Sequence, residues 1–378
     1  MLAPVRRGDL IGAMVFFAVV NAGLVAINGI RHGGDTPLYL DGATRMLDGR
    51  PLIDRESSYA GYVLMVAAAQ AIGVGTTGVV VVQVVLGAAA AAAVFLLGAG
   101  LAGRAAGAIA VTLYTLDVDT NRWHQFILAD SLYVSLMTLG VLLTYRAASR
   151  RDVVPAIGAL AVVVCAALVR PEGWFLLPAA GCFLVLVRAR SGAQRLAGAG
   201  VVAAGAVVLM VVMAPVLRGN LQAVGPASML ERGQTIWEFN GWRVPMPPAT
   251  NVEPGESPGA VAYAVQHPVK TLTLMLARVG VHFAHVRPFY STAHNMVIVV
   301  WLVPVYVAAG YAIRRLGGQR LPSWILAAIA TQTLVVALTH AEWDGRYLAH
   351  VLPLIDTLAG AGVAMAIGHQ PPGPTAHA

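Results

Sequence analysis

Charge is scarce in this chain. Only 11% of its 378 residues are Asp, Glu, Lys or Arg, against roughly 25% in a soluble domain. A water-soluble globule of this length needs far more polar residues to cover its surface, so that class is excluded. Cysteine is equally sparse: Cys165 and Cys182 each sit inside an apolar run. They read as small hydrophobes in lipid and point to neither a disulfide framework nor a metal cluster. There is no glycine-rich nucleotide loop, no strong zinc-ligand spacing and no repeat at a fixed period. The formal charge is +7, yet the sequence holds no basic block with interleaved aromatics, so a nucleic-acid partner is not expected.

What the chain has in abundance is apolar length. Hydrophobic residues make up 58% of it and the mean hydropathy is +0.71. Several runs reach the roughly 17–25 residues that cross a bilayer as helix. The expected fold is therefore an all-α polytopic membrane protein, a single domain over 1–370. About ten spans are expected, at roughly 10–30, 76–101, 104–120, 126–145, 153–169, 173–189, 196–217, 294–313, 321–339 and 348–367. The first run is too long for a signal-peptide core and reads as a retained span. Residues 371–378 read as a short disordered cytoplasmic tail.

Charge sets the expected orientation. With both termini in the cytoplasm, that side holds 12 basic residues, among them Arg104, Arg146, Arg188 and Arg190, against two acids, Asp9 and Asp152. The outside holds 13 basic residues and 15 acids, and Asp356 falls inside the last span. This obeys the positive-inside rule. The Ala-, Val-, Gly- and Arg-rich composition points to a bacterial chain, hence to an inner membrane. Two apolar stretches, 57–73 and 271–285, would flip the middle of the chain if they crossed. They are expected as helices on the outer leaflet. The long loops then all lie outside: a first outer loop over 31–75, a turn around 117–130 and a long loop over 218–293, whose Pro- and Gly-rich part, 226–268, reads as irregular.

The first outer loop carries the most pointed pattern. Gly33 and Gly34 break the first span, and Asp35 before Pro37 marks a helix start. Asp35 is either a helix N-cap or a general base at the membrane edge. Tyr39 follows one turn later. Glu56 opens an interfacial stretch running to Tyr62. Asp130 lies near the outer end of a span, where carboxylates are paired or functional. Arg170 and Glu172 sit in a tight turn between two spans, and Glu342, Asp344 and Arg346 precede the last one. Each turn is either structural or placed to meet an anionic headgroup. His267, Lys270, Arg278, His282 and His285 fall near one helical stripe, read as a basic amphipathic helix drawn to anionic membrane lipid.

Taken together, Asp35, Tyr39, Ala43 and the Asp48, Gly49, Arg50, Pro51 run resemble the first outer loop of the GT-C glycosyltransferases, such as the protein O-mannosyltransferases and lipid A aminoarabinose transferases. Glu56 to Tyr62, Asp130, Arg170 with Glu172, and Arg346 with Tyr347 are similar to later features of that superfamily. The resemblance implies a GT-C-like bundle and an inverting transfer from a polyprenyl-phosphate sugar to an outer-face glycan, lipid or protein acceptor. It makes Asp35 the catalytic carboxylate and Glu56 a ligand of a divalent metal in some members. Tyr39, Glu56, Asp130, Arg170, Arg278, Arg287 and Arg346 become candidates for substrate or donor-phosphate binding. Trp123, Trp237 and Trp242 are candidates for stacking on sugars. Where those relatives carry lysine and proline, this chain has Ser57 and Ser58. A lipid-linked-sugar flippase and a non-catalytic subunit of a cell-envelope glycan pathway are the competing readings.

Overall fold

The computed structural model describes residues 5–150, 153–224, 230–248 and 260–369. The expected tail at 371–378 lies outside the described residues. Helix α1 (Arg7–Asn28) is followed by three shorter helices, α2 (Thr36–Leu47), α3 (Asp54–Ser58) and α4 (Ala60–Ala71). Next come α5 (Gly75–Leu116), α6 (Val118–Asn121) and a 3-10 turn, Arg122–Gln125. The middle holds α7 (Ala129–Arg150), α8 (Val153–Val169), α9 (Gly173–Arg188) and α10 (Gly192–Val224). A hairpin of β1 (Gln234–Ile236) and β2 (Phe239–Arg243) precedes α11 (Ala260–Gln266) and α12 (Pro268–Ala284). The chain closes with α13 (Thr292–Leu316), α14 (Arg320–Leu338), α15 (Arg346–Ala349) and α16 (Leu352–Ala366).

Among the described residues, five helices are long and apolar enough to cross a bilayer: α1, α5, most of α7, α13 and α14. The apolar helices α8, α9, α16 and the first part of α10 coincide with other expected spans. Large hydrophobics are exposed on the spanning helices, such as Val15 and Val19 on α1 and Val300 and Val307 on α13. An apolar exterior of this kind belongs to a helix bundle in lipid, and the chain is an all-α multi-pass membrane protein apart from its one hairpin.

The expected spans at 76–101 and 104–120 are the two arms of α5. The backbone leaves helical geometry at Ala102 and Gly103, where Gly103 has φ 81°. The arms then lie so close that a Cβ on Gly107 would come within 2.5 Å of the Phe95 carbonyl oxygen. Small residues also let α16 in: a Cβ on Gly360 would sit 2.5 Å from the Ala110 amide nitrogen, and one on Gly362 1.9 Å from the Ala308 carbonyl oxygen. With no hydrophobic drive between helices in lipid, such close backbone approach supplies the packing.

Polar residues gather at the two ends of the bundle. Asp130 is in the first turn of α7 and Arg146 lies 16 residues on, about 24 Å away at 1.5 Å per residue. At the Arg146 end, Arg188 bonds the Ala147 carbonyl and Arg104 pairs with Asp9. At the Asp130 end, the segment 31–75 is tied down by Arg31, whose amide donates to the Gln125 carbonyl at 2.8 Å and whose carbonyl accepts from Ile127 at 2.9 Å. Gln83, fully buried, bonds the Tyr62 hydroxyl at 2.8 Å and the carbonyls of His124 and Phe126. These bonds fix this segment against α4 and α5. Helix α4, with 12 residues, is about 18 Å long and too short to cross.

Two expectations need correction here. The stretch 226–268 is not wholly irregular: residues 234–243 form the hairpin, whose strand β1 bridges to Ala341 through Ile236. The second concerns α12. Its basic stripe is divided: Lys270 near the helix start is exposed, whereas Arg278, His282 and the capping His285 are buried. Arg278 docks on carbonyls at the bundle end, and the apolar Val269, Leu272 and Leu276 are exposed.

Candidate functional site

Helix α2 starts where Gly33 and Gly34 end the extended chain, with Pro37 in its first turn. Thr36 performs the local anchoring: its hydroxyl accepts from the Gly33 amide at 2.8 Å and donates to the Ile127 carbonyl at 2.9 Å. Asp35 occupies the N-cap position, yet its carboxylate makes no capping bond to the helix. It turns instead to two guanidinium groups. Arg55 Nη2 donates to Oδ1 at 3.1 Å, and Arg346 Nη1 donates to Oδ2 at 3.0 Å.

Arg346 joins this pair to a larger network. Its Nη2 donates to Glu342 Oε1 at 3.3 Å, its Nε lies 3.5 Å from Asp344 Oδ1, and its Nη1 lies 4.0 Å from Asp130 Oδ2. Asp130, fully buried, pairs with Arg170 and with His350 Nε2 at 3.0 Å. Arg170 in turn grips Glu172 with two bonds, of 2.9 and 3.1 Å. A bidentate, charge-assisted pair of this kind is strong and directional. Arg122 lies outside this network, 3.7 Å from Asp119, and donates to the Asp344 carbonyl.

The titration of the surrounding groups reflects burial against charge. Burial works against the Arg346 and Arg170 cations, but their carboxylate neighbours outweigh it and hold both above the usual guanidinium range. Burial favours a neutral Glu342, yet His340 and Arg346 hold it well below the usual carboxylate range. Asp344 goes the other way. Burial, with Glu342 adding to it, outweighs Arg346 and pushes its carboxyl up to about 6.

Asp35, Arg55 and Arg346 face a cavity of about 410 Å³. Trp237, His340, Glu342, Tyr59 and Tyr347 supply further polar or aromatic lining, and Arg170 and Glu172 close one side. The apolar lining comes from spanning helices: Phe175 on α9, Val335 and Leu338 on α14. Phe175 and Leu338 are 45% and 49% exposed, so this wall presents bare apolar surface.

The remaining expected residues fall elsewhere. Tyr39 is buried behind Asp35 against Tyr59 and Tyr62, with ring centroids 5.4 and 4.6 Å away, and does not line the cavity. Glu56 is buried and fully engaged: Oε1 accepts from Arg45 at 3.3 Å and Oε2 from the Ile53 amide at 3.0 Å. That carboxylate closes the start of α3 and does not line the cavity. Among the described residues no group of three His, Cys, Asp or Glu side chains is arranged to hold a metal.

Arg278 and Arg287 are buried outside the cavity. Arg278 donates to the carbonyls of Gln234, Ala337 and Leu338, and Arg287 to those of Val281, Val286 and Glu342. They hold the cavity wall together rather than reach into it. Trp123 is buried beside Arg122, and Trp242 lies on β2; of the stacking candidates only Trp237 reaches the cavity. Arg55, His340 and His350 were not singled out by the sequence. The available signal was position alone: His340 lies two residues before Glu342 and His350 one turn beyond Arg346, while Arg55 is 20 residues from its partner Asp35 and had none.

No model of a known protein family matches the chain, and no curated protein matches it.

Proposed function

We propose that the chain is an integral-membrane glycosyltransferase that moves a sugar from a polyprenyl-phosphate donor to an acceptor on the extracytoplasmic face of a bacterial inner membrane. The observation that carries this reading is the placement of Asp35. Its carboxylate has no capping duty, faces a cavity, and stands between two arginines at the rim of an apolar wall open to lipid. The arginines Arg104, Arg146 and Arg188 at the opposite end of the bundle support the outer assignment of the site through the positive-inside rule. A GT-C-like arrangement of about ten spans accommodates it.

The chemistry follows from these groups. The prenyl tail lies along Phe175, Val335 and Leu338, with the phosphate toward Arg55 and Arg346. An acceptor hydroxyl attacks the anomeric carbon as the bond from that carbon to the phosphate oxygen breaks. The phosphate leaves with the electron pair, and Asp35 takes the hydroxyl proton. Proton uptake removes the negative charge that Asp35 presents to Arg55 and Arg346. Both cations then become available to the phosphate just as it gains charge, which stabilises the transition state electrostatically. Arg170, Asp130 and Glu172 act behind this pair by holding the turn that closes the cavity. No step requires Glu56 or a metal bound there.

The reading is tested with purified protein in liposomes, following sugar transfer from undecaprenyl-phosphate sugars and lipid translocation separately. Transfer to an envelope acceptor is expected. Translocation without transfer would make the chain a flippase instead. Mass spectrometry of envelope glycans in a deletion strain identifies the sugar.

A further inference from the structure

The hairpin and two nearby turns share a cluster of aromatic side chains that the cavity does not use. Phe239 opens β2 and packs against Phe289, with ring centroids 5.3 Å apart, and against Trp242 at 6.3 Å. Phe289 meets Tyr290 at 5.3 Å, and the Tyr290 hydroxyl donates to the Trp343 carbonyl at 3.2 Å. None of these five residues lines the cavity, although Glu342, which precedes Trp343, does. Trp242, Phe289 and Trp343 are 38%, 43% and 46% exposed. Among the described residues, neither Trp242 nor Trp343 has a partner for its indole N–H. An exposed aromatic patch of this kind marks an interaction surface.

Its place in the bundle says what covers it. Phe289 and Tyr290 lead into α13, whose exposed apolar residues begin with Met296 and Val297 and continue through Val300, Val303 and Val307. Trp343 lies five residues beyond Leu338, the exposed last residue of α14. Both helices are long and apolar enough to cross a bilayer. The patch therefore stands where the bare apolar surface of two spanning helices ends. Charge begins at the same level, with Glu238 and Arg243 exposed at either end of β2. Tryptophan and tyrosine are enriched at this boundary, because the ring meets acyl chains while the polar tip meets headgroup oxygens.

We infer that Phe239, Trp242, Phe289 and Trp343 form an aromatic anchor seated in the headgroup layer of the bilayer, with phospholipid as the partner. Rings and indole N–H groups make the contact, so zwitterionic lipid suffices and net charge is not required. The anchor is rigidly joined to the cavity wall. The Trp237 amide donates to the Ala341 carbonyl at 2.9 Å, and the Ala341 amide donates to the Thr235 carbonyl at 3.0 Å. Arg278 ties β1 to the end of α14 through the Gln234, Ala337 and Leu338 carbonyls. Seating the rings thus holds the wall that carries Trp237 and Glu342 at the boundary between lipid and water. The anchor is independent of which substrate the cavity takes.

The test is depth-dependent fluorescence quenching of the purified full chain in phosphatidylcholine vesicles. One lipid carries bromines near the glycerol end of its acyl chain, a second carries them near the middle, and acrylamide quenches from water. Emission from each anchor indole is the difference between the parent and Trp242→Phe or Trp343→Phe. Thermal unfolding checks the fold, and tyrosine replaces phenylalanine at a position where that variant unfolds. Both difference signals should lose more emission to the shallow bromines than to the deep ones. Quenching by acrylamide with no loss to either lipid would put the patch in water and overturn the anchor. Stronger loss to the deep bromines would put the rings in the hydrocarbon core and overturn it as well. Shielding from all three quenchers would mean that protein covers the patch, which also overturns it.

Discussion

Asp35 and Arg346 are 311 positions apart in the chain and 3.0 Å apart in space. The contact joins the start of α2 to the turn before the last helix, and through Arg346 it reaches Asp130 and the Arg170 turn. The site is therefore assembled from the beginning, middle and end of the sequence, and its parts stand or fall together.

Removing Arg170 tests the cohesion of that assembly. Asp130 is completely buried and Arg170 is 3% exposed. Arg170→Met leaves Asp130 and Glu172 without their shared cation, at a cost of about 3–5 kcal/mol. Thermal unfolding in nanodiscs should show a large loss for Arg170→Met and a smaller one for the double variant Asp130→Asn, Arg170→Met. Equal stability of the single variant and the parent protein would mean that the network contributes no cohesion.

Asp344 predicts a pH dependence. Its folded-state pKa, about 6, lies above the ordinary aspartate value of about 3.8, so folding favours its protonated form. The native state binds the extra proton between these values, and stability from this group falls as pH rises through that window. Asp344→Asn removes the penalty. The variant's advantage over the parent should grow from pH 4 to pH 6 and level off above, reaching on the order of 1–3 kcal/mol. Glu342 acts oppositely: its stabilisation is present above the ordinary glutamate range and is lost as pH falls below it. An advantage for Asp344→Asn that is independent of pH would show that this carboxyl titrates normally.

Gly345 carries a backbone prediction. It has φ 77°, and a Cβ there would meet the His285 imidazole at 1.7 Å. His285 itself bonds Asp119 at 3.1 Å. Gly345→Ala combines about 1–2 kcal/mol of left-handed strain with displacement of His285. Lower thermal stability should come together with loss of activity, because Arg346 is the next residue. A variant that keeps parental stability would contradict the crowding.

Much of this arrangement was legible in the sequence. Apolar length marked the helices, Gly33 and Gly34 marked the break that exposes Asp35, and isolated charges at span ends marked Asp130, Arg170 and Arg346. Direction was not legible. The stripe with Arg278 and His282 has the same period whether it meets water, headgroups or buried carbonyls, so the burial of these two residues, with Lys270 of the same stripe exposed, could not be read from it. Glu56 shows the same ambiguity, for a carboxylate at a helix start closes that start as readily as it holds an ion. The hairpin at 234–243 depends on pairing with Ala341, a hundred residues downstream, which local pattern does not encode.

The most direct measurement is sugar transfer by Asp35→Asn in proteoliposomes supplied with an undecaprenyl-phosphate sugar that the parent protein uses. Asparagine keeps the shape and cannot take the proton. The variant should insert and unfold much like the parent while its turnover falls about 100- to 10,000-fold. Transfer at the parental rate would contradict the assignment of Asp35 as the base.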